Sequence, residues 1–420
     1  MKNNNHTLYF NGTLGAYLMR VGESFLQLDK REIELHLRMQ GLSKDNYVGP
    51  LNEIEKAFYV AQCERAVDYS GPLAGHNAGT FTTGDGRKIL VTVSPRLPSP
   101  KRGKWTKLEK FFETLLGPEQ DYLFAWLKCS FESLAKGDFR PGQMLALAGE
   151  AGCGKSLCQL LVTEILGGRV AKPYKYMTGA SHFNGDLAQA EHWCIEDEHG
   201  STDIRIRRAF GTAIKDVCAN LNLSVHSKGK QAITLPTFRR ITLSVNSESE
   251  NLQIIPPLDS SLSDKIMLLS CGHAEVGSDR AKTWSEFKAE LPAFVWFLMN
   301  EFTIPKNMRS ARYGVAAYQS KALADELTAL SPESRLMNLM DEVFFTKENR
   351  REWASDCQGT TEQLERWLRQ SHFGSAVDKL LYFSSAAGVY LQRLEKKHPE
   401  RVKASRKLGR ATWTISPPSE

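Results

Sequence analysis

The stretch from Met144 to Leu161 carries the clearest change in the pattern of apolar and polar positions. An apolar run ends there in a glycine-rich segment, and a second set of apolar residues follows at helical spacing. A short apolar run bounded by turn residues is typical of a buried strand, and apolar residues three and four apart are typical of a helix. The pattern therefore predicts a strand, a tight loop and a helix in direct succession.

Similar patterns on both sides predict the other elements of a central α/β domain. Helices are predicted at Trp105–Leu116, Glu119–Ala135 and Asp203–Asn222, and strands at Trp193–Ile195 and Ile241–Asn246. Two β-prone runs, Leu223–His226 and Ala232–Leu235, bracket the polar segment 227–230 and predict a hairpin with Lys228 and Lys230 at its tip. We expect a central parallel sheet flanked by helical segments.

The chain outside this core divides into further regions. The segment Val93–Lys104 contains three prolines and four basic residues, which disfavour a helix and indicate a linker. Near the C-terminus, Ser375–Lys397 is predicted as a helix, and Val402–Ile415 as two β-prone arms around a basic turn. We predict an N-terminal α/β domain of unknown role, a helical segment, the α/β core, a second helical segment and a C-terminal domain, at 1–100, 101–140, 141–275, 276–335 and 336–420.

Composition fits a soluble globular chain of 420 residues, 41% of them hydrophobic. No run of about 18 apolar residues occurs, and the N-terminus lacks the pattern of a secretory signal, so we expect a cytoplasmic protein with no membrane partner. The eight cysteines are scattered without a C-x-x-C pair, which is typical of reduced thiols. Between Leu391 and Thr412, eight basic residues face two acidic ones, so this segment alone accounts for the net charge of +6 and favours a polyanionic partner.

The glycine-rich segment matches a known phosphate-binding pattern. Its positions G-x-x-x-x-G-K-[ST] are filled by the phosphate loop, residues 149–156: Gly149, Glu150, Ala151, Gly152, Cys153, Gly154, Lys155 and Ser156. Glycines let backbone N–H groups turn towards phosphates at the start of a helix. The Lys155 ammonium can reach the β and γ phosphates, and the Ser156 hydroxyl suits one Mg²⁺ position. The sequence therefore predicts that ATP and Mg²⁺ bind here.

Acidic residues follow the strand at Trp193–Ile195, about forty residues beyond the phosphate loop. A phosphate-transfer site needs one carboxylate for Mg²⁺ and commonly another that polarises water, both at the tip of a neighbouring parallel strand. We assign Asp197 to the metal and Glu198 to the attacking water, with Glu196 as the alternative for either role. Asn246 ends the next predicted strand and is expected beside the γ phosphate.

These motifs together resemble the ordered motifs of superfamily III helicases, and more narrowly the primase-helicase type of phages, plasmids and large DNA viruses. The resemblance rests on GEAGCGKS, WCIEDE, the helix leading into the Lys-Gly-Lys hairpin, and ITLSVN. It implies an AAA+ core that forms a hexameric ring, hydrolyses ATP at subunit boundaries and translocates on single-stranded DNA in a central channel. It also implies that Lys228 or Lys230 contacts that DNA.

The family places a trans-acting arginine after the ITLSVN motif, where this sequence has Lys265. A lysine lacks the planar fork of arginine and stabilises a transferring phosphoryl group less specifically. Hydrolysis is then slow, or another arginine serves. The alternatives are two adjacent pairs, each residue of which fits a surface or ion-pairing role better: Arg207 and Arg208, and Arg239 and Arg240.

In the C-terminal region, the order helix, helix and basic β-ribbon is that of a winged helix, a common duplex-DNA reader; a small α+β cap is the alternative. In the winged-helix interpretation the helix from Ser375 enters the major groove, and Arg406, Lys407 and Arg410 lie beside phosphates. The resulting hypothesis is an ATP-dependent DNA helicase for replication of a mobile element, a homohexamer that binds origin duplex DNA or works with a separate primase. The alternatives are a non-motor ATPase switch and a DNA-binding initiator with a weak ATPase.

Overall fold

The computed structural model describes residues 8–22, 24–196, 204–226, 231–256, 258–345, 356–407 and 410–418. They form two compact units that divide between Ser320 and Lys321. The first unit contains the N-terminal region and the α/β core, and the second is a small mixed domain.

The N-terminal region is built from short strands and two helices. Its elements are β1 (Leu8–Asn11), β2 (Ala16–Val21), β3 (Ser24–Leu28), α1 (Lys30–Met39), β4 (Tyr47–Val48), β5 (Leu51–Asn52), α2 (Glu53–Cys63), β6 (Ala66–Val67), β7 (Tyr69–Gly71), β8 (Gly79–Thr82) and β9 (Lys88–Val91). Both helices begin at a capping box, on Asp29 and on Asn52, which satisfies the first free N–H groups. The larger sheet has the order β3-β2-β1-β6, and its apolar face packs on Ile33, Leu37 and Ile54.

The core of the first unit alternates strands with helices, as the sequence predicts. Its elements are α3 (Thr106–Leu116), α4 (Gln120–Lys136), β10 (Met144–Gly149), α5 (Lys155–Ile165), β11 (Val170–Ala171), α6 (Tyr174–Met177), β12 (His192–Ile195), α7 (Ile204–Ala219), β13 (Asn222–Val225), β14 (Ile233–Pro236), β15 (Arg240–Asn246), α8 (Ser249–Leu252), β16 (Ile266–Cys271), α9 (Arg280–Asn300), β17 (Arg309–Ser310) and β18 (Gly314–Val315).

Five of these strands form a parallel sheet in the order β11-β12-β15-β10-β16. The carboxyl ends of parallel strands meet at one edge, and here Gly149 lies opposite both Asn246 and Cys271. Sequence reasoning places the acid-bearing strand beside the phosphate-loop strand, and this is wrong: β15 lies between β12 and β10. Strands distant in sequence pair here, and no local pattern specifies that order.

Helices α3, α4 and α9 share one apolar core with the sheet. The aromatic side chains of Phe124 and Trp126 on α4 are buried in this core. The ring of Phe294 packs against Trp105 and Phe112 in tilted pairs, which add to the stabilisation from the area that they bury. These three helices therefore form one body with the parallel sheet.

The proline-rich segment predicted as a linker is irregular, but it is fastened to the core. Arg96 N donates to Gly167 O at 3.1 Å, and Lys101 N donates to Pro292 O at 3.0 Å. A Cβ on Gly167 would lie 2.7 Å from Pro95 Cβ, so the two segments approach closely. A proline has no backbone N–H to donate within a helix, but the residues that follow the prolines here, Arg96 and Lys101, donate their own N–H groups to the core.

The second unit contains α10 (Lys321–Ala329), α11 (Pro332–Phe344), β19 (Cys357–Thr360), α12 (Thr361–Gln370), α13 (Gly374–Leu380), α14 (Ala386–Lys397), β20 (Val402–Lys407) and β21 (Arg410–Ile415). Its antiparallel sheet has the order β19-β21-β20. The prediction of a single helix from Ser375 is wrong, because α13 ends at Leu380 and α14 begins only at Ala386. Leu380 and Leu381 are both buried at this break.

Candidate functional site

The phosphate loop connects β10 to α5 at the carboxyl edge of the sheet. Gly152 and Gly154 have φ of +75° and +118°, in the left-handed region that favours glycine. A Cβ on Gly154 would also lie 2.9 Å from Ala274 Cβ. The loop therefore requires glycine at these positions for backbone conformation and, at Gly154, for space.

Gly149 is required for a different reason, which the motif alone does not reveal. A Cβ at this position would lie 2.5 Å from the Cys271 carbonyl oxygen and 2.8 Å from Cys271 Cβ. Strand β16 therefore approaches β10 so closely that no side chain fits at Gly149, the last residue of β10. Tertiary packing, in addition to phosphate binding, explains this glycine.

Lys155 is the best-defined polar group of the site. Its side chain is 7% exposed, and Nζ donates to Gly149 O at 2.8 Å, Glu150 O at 2.7 Å and Asn246 Oδ1 at 3.1 Å. In the described part of the chain no carboxylate lies within ion-pair distance of this ammonium group. A buried cation surrounded by neutral acceptors is costly unless an anion compensates it, so the geometry favours an anion at this position.

Asn246 occupies the position that the sequence predicts for it, at the last residue of β15. Its amide oxygen accepts from Lys155, and Ser247 N donates to Gly149 O at 3.1 Å. The structure thus brings Lys155 and Asn246 together from positions 91 residues apart. Both side chains face the edge of the sheet where the phosphate loop lies.

The remaining residues of the loop divide between exposed and buried. Glu150, Ala151 and Ser156 are exposed, and the Ser156 hydroxyl makes no hydrogen bond with the residues that the structure describes. Cys153 is buried. An exposed hydroxyl one residue after Lys155 fits a single oxygen position on Mg²⁺.

The acidic segment is described only in part. Glu196 is largely buried and forms an ion pair with Lys172. Asp197 and Glu198, the residues assigned to the metal and to water, lie outside the described residues. Their strand ends at Ile195 on the same edge as Gly149 and Asn246, with β15 between it and β10.

The cysteines near the loop are inert thiols. Burial raises the pKa of Cys158 to about 12 and that of Cys271 well above its usual range. A thiol with a raised pKa stays protonated and is neither a nucleophile nor a metal ligand at neutral pH. Among the described residues no cluster of three or more His, Cys, Asp or Glu side chains could hold a metal ion.

The predicted hairpin is present as β13 and β14, whereas Lys228 and Lys230 at its tip lie outside the described residues. Asn184 fastens the hairpin: its Nδ2 donates to Ser224 O at 2.8 Å, and its Oδ1 accepts from His226 N at 2.7 Å. Phe183, the preceding residue, is 55% exposed. Sequence analysis missed this aromatic residue, although its signal was available: one large apolar residue within the polar run SHFNGD.

Lys265 lies at the opposite, amino edge of the sheet, just before β16. It is partly buried, with 12% of its side chain exposed, and Nζ donates to Asp264 Oδ1 at 2.6 Å and to Ser261 O at 2.9 Å. Arg312 forms a longer ion pair with Asp264, at 3.4 Å, and its side chain is 48% exposed. An arginine is therefore present beside Lys265, on a segment that sequence analysis left out.

Arg239 and Arg240 are neither surface nor ion-pairing residues, so the interpretation favoured from the sequence is wrong for this pair. Both are buried, and both donate to neutral oxygens: Arg239 to the carbonyls of Asn220 and Leu221, and Arg240 to Ser130 Oγ at 2.8 Å. Burial lowers the pKa of each guanidinium to about 10. Both guanidinium groups are therefore used by contacts inside the core.

In the second unit, β20 and β21 form the basic ribbon that the sequence predicts. Arg406 is paired in register with Ala411, and Lys407 with Arg410, next to the turn. Helix α14 precedes this ribbon, and Lys397 at its end forms an ion pair with the buried carboxylate of Glu333 at 2.8 Å. Sheet and helices enclose one apolar core.

Across the described residues, no helix has the length and apolar character needed to span a bilayer.

Comparison with solved structures finds a similar fold in the NrS-1 C-terminal region. Two of its apo structures match with TM-scores of 0.57 and 0.56 at 13% identity, covering 98% of this chain and 96% of that chain. A structure of SCCmec type IV Cch, described as an active helicase, matches with a TM-score of 0.31 at 9% identity, covering 94% of this chain and 73% of that one. A likeness this low carries no argument. No family model and no curated protein matches the chain.

Proposed function

We propose that this chain is an ATP-dependent DNA helicase that serves the replication of a phage, plasmid or other mobile element. The observation that supports this most is the environment of Lys155: a buried ammonium group that contacts three neutral oxygens and the Cys153 sulfur and has no carboxylate within ion-pair distance among the described residues, at the N-terminus of α5 and beside a loop with two left-handed glycines. The phosphates of a nucleotide are the anions that such a loop binds.

Each polar group of the phosphate loop has a proposed role in nucleotide binding. Backbone N–H groups of residues 149–154 and the Lys155 ammonium hold the β and γ phosphates. Ser156 and Asp197 hold Mg²⁺, which neutralises charge on the phosphate oxygens when it is bound. Glu198 orients the attacking water. When Lys155 binds the phosphates, its hydrogen bond to Asn246 Oδ1 is lost. The Asn246 amide group is then free to donate to the γ phosphate or to that water.

Arg312 is a better trans-acting cation than Lys265. Both residues pair with Asp264, but Lys265 also donates to a carbonyl and is mostly buried, whereas Arg312 pairs at the longer distance of 3.4 Å, is half exposed and has the planar fork that binds a phosphoryl group in two places. Both residues lie at the amino edge of the sheet, and six residues of β16 separate that edge from the phosphate loop, about 20 Å along the strand. Either cation therefore acts on the nucleotide of a neighbouring copy, which a ring of six copies provides.

Single-stranded DNA is the proposed substrate in the channel of that ring. Lys228 and Lys230 would contact its phosphates, and the exposed ring of Phe183 would stack on a base. Asn184 fastens the hairpin to the segment that carries Phe183, so both contacts would move together.

The second unit is proposed to read duplex DNA at an origin as a winged helix. The element proposed to enter the major groove is helix α14, and not the longer helix that the sequence predicts from Ser375, because α14 packs directly against the ribbon strand β20. Arg406, Lys407 and Arg410 would lie beside phosphates and position the unit without specifying a sequence.

The test is hydrolysis and strand displacement by the purified chain on a forked substrate. Lys155→Ala and Glu198→Gln should each abolish DNA-stimulated ATP hydrolysis, and normal turnover in Glu198→Gln would refute the catalytic assignment. Paired removal of charge, Lys228→Ala with Lys230→Ala, should leave hydrolysis intact and abolish unwinding. Intact unwinding in that variant would exclude the hairpin from DNA translocation.

A DNA-binding initiator with a weak ATPase is the second candidate, and the engaged state of Lys265 favours it. In that case residues 321–420 alone bind duplex DNA without ATP, in a salt-dependent manner, and the full chain displaces no strand. A non-motor switch would assemble with ATP, as seen by gel filtration, and would also fail to displace a strand. A separate primase, if one takes part, would be recruited by that assembly.

A further inference from the structure

Four polar side chains are buried where α5 packs against the sheet. They are Gln159 and Thr163 on α5, His192 on β12 and Thr242 on β15, and each is at least nine-tenths buried. A parallel sheet covered by helices normally presents apolar residues there. The cluster lies at none of the positions named by the nucleotide motifs, so its presence needs another explanation.

The hydrogens in this cluster can be assigned from the bond partners. We assign the Thr163 hydroxyl hydrogen to the main-chain oxygen of Gln159, at 3.1 Å, so that Oγ1 accepts from His192 Nδ1, which lies 2.7 Å away. Nδ1 therefore carries the ring hydrogen. A neutral imidazole accepts at its other nitrogen, so Thr242 Oγ1 donates to Nε2 across 2.8 Å. Burial lowers the pKa of His192 to about 3, which keeps the ring neutral.

Gln159 closes the circuit with its side chain. Its Nε2 donates to Thr242 Oγ1 at 2.8 Å and to the Ile195 carbonyl at 3.2 Å. The carbonyl fixes the amide orientation, because two carbonyl oxygens cannot face each other. Gln159 Oε1 is left without a partner among the described residues, which costs about 1–3 kcal/mol. An amide kept at such a cost suggests a use other than stability.

The bond to Ile195 connects two parts of the proposed reaction. Ile195 is the last residue of β12, directly before the acidic segment, and Gln159 lies about one helical turn after Lys155. Strand β12 is not paired with the phosphate-loop strand, because β15 lies between them. The Gln159 side chain is thus a direct link from the phosphate-loop helix to the tip of the acid-bearing strand.

We propose that Gln159 is a positioning residue that fixes the carboxyl end of β12, where the acidic segment begins, relative to Lys155 and Ser156. The inference rests on the proposed function, which assigns the Mg²⁺ ligand and the water-orienting group to that acidic segment. Phosphate contacts come from the loop itself and do not depend on β12. Loss of Gln159 should therefore weaken the use of Mg²⁺ and spare Mg²⁺-free nucleotide binding.

The experiment compares Gln159→Leu with Gln143→Leu. Gln143 is equally buried in the same unit, donates once to a carbonyl, Asp264 O at 3.2 Å, and also has an unpartnered Oε1, but it lies at the amino edge of the sheet. Both variants should lose thermal stability. Only Gln159→Leu should raise the Mg²⁺ concentration for half-maximal hydrolysis, by roughly 10- to 100-fold, the range known for outer partners of metal ligands.

Binding of a fluorescent ATP analogue supplies a readout that does not depend on turnover. In EDTA the affinity should equal that of wild type in both variants, whereas the gain in affinity on adding Mg²⁺ should shrink in Gln159→Leu alone. Equal Mg²⁺ behaviour in the two variants overturns the positioning role. A wild-type chain that binds no nucleotide overturns the proposed function instead.

Nitrogen-15 NMR of the wild-type histidines tests the circuit by itself, whatever the activity of the chain. His192 should show the Nδ1–H tautomer and should not titrate between pH 8 and pH 5. An Nε2–H tautomer, or titration in that range, contradicts the assigned hydrogens.

Discussion

At the scale of single residues, the site is defined by one buried cation and by the neutral groups around it. Lys155 contributes little to folding, because its hydrogen bonds to Gly149 O, Glu150 O and Asn246 Oδ1 offset the loss of hydration only in part. An ammonium group that is buried with no ion-pair partner among the described residues favours the binding of an anion. Changes at Asn246 should consequently affect stability and affinity in opposite directions.

Asn246→Asp should stabilise the chain in the absence of nucleotide and weaken ATP binding about tenfold or more, a loss of about 1.4 kcal/mol. The new carboxylate pairs with Lys155 and repels the γ phosphate. Thermal unfolding without nucleotide and titration with a fluorescent ATP analogue measure the two effects. Asn300→Asp, at the exposed end of α9, serves as the control for the added charge: it should leave ATP binding unchanged and should lower stability slightly, because Asn300 Nδ2 donates to Trp296 O at 2.9 Å. Loss of stability in Asn246→Asp would show that Lys155 carries no uncompensated charge.

The phosphate-loop glycines should differ in the cost of a methyl group. Gly149→Ala forces a Cβ to within 2.5 Å of the Cys271 carbonyl and should cost about 1–3 kcal/mol by overpacking. Gly152→Ala meets no atom within 4 Å and costs only the left-handed strain, about 1 kcal/mol. Urea unfolding of both variants gives the comparison. A larger loss for Gly152→Ala would mean that β16 yields to the new side chain.

At the scale of elements, α5 is the part that holds the site together. Its first residue, Lys155, is the proposed phosphate ligand, and its buried face is hydrogen-bonded to β12 and β15 through Gln159 and Thr163. These bonds require a neutral His192. The Thr163 hydroxyl hydrogen is directed to Gln159 O and the Thr242 hydroxyl hydrogen to Nε2, so a proton on Nε2 would face a donor. Protonation would break the circuit, so its stability should depend on pH.

The pH dependence has a definite sign. The folded pKa of His192, about 3, lies below the unfolded value near 6.5, so the unfolded chain binds the proton first as the pH falls. The contribution is complete above pH 6.5 and is lost progressively towards pH 3. Between pH 6.5 and pH 5 the loss is about 2 kcal/mol, at 1.36 kcal/mol per pH unit.

His192→Gln removes the titrating ring, so its free energy of unfolding should fall less than that of wild type over this interval. Chemical denaturation at both pH values measures the difference, and it cancels the contribution of other histidines. Parallel losses in the two proteins would mean that His192 is not held neutral.

At the scale of the whole molecule, the proposed trans-acting role of the two cations at the amino edge of the sheet requires a second copy. Lys265 and Arg312 share Asp264 on the side opposite the phosphate loop, so neither reaches the nucleotide of its own chain. The proposed ring brings that edge against the phosphate loop of a neighbour. Defects in Lys155 and Arg312 should then complement each other between copies.

Lys155→Ala and Arg312→Ala should each lose most ATP hydrolysis as pure proteins. After the two are mixed in equal amounts and reassembled, about a quarter of the junctions in a cyclic ring combine an intact Lys155 with an intact Arg312, and hydrolysis should return in that proportion. Steady-state ATPase assays of the mixture measure it. Lys265→Ala alone should retain more activity than Arg312→Ala, and the reverse order would return the trans role to Lys265.

Local patterns predicted much of this protein because their causes lie within a few residues. Apolar periodicity predicted helices α3, α4 and α7 and the strands β12 and β15, and the glycine pattern predicted the phosphate loop. The end of the strand β15 predicted that Asn246 lies at this loop, and it accepts from Lys155. The same reasoning failed for the helix from Ser375, where two buried leucines continue the apolar pattern across a break. It predicted correctly that the proline-rich segment is not helical, but not its attachment to the core, because the binding partners are distant in sequence.

The sequence by itself therefore determined the elements, the phosphate loop and the chemical types available at the site. Only the tertiary structure decided the strand order that inserts β15 between β10 and β12, the burial of Arg239 and Arg240, the engagement of Lys265, and the exposure of Phe183. The physical reason is the range of the interactions. Backbone conformation and amphipathic spacing depend on neighbours along the chain, whereas strand partners, buried charges and the Gln159 circuit depend on residues that meet only after folding.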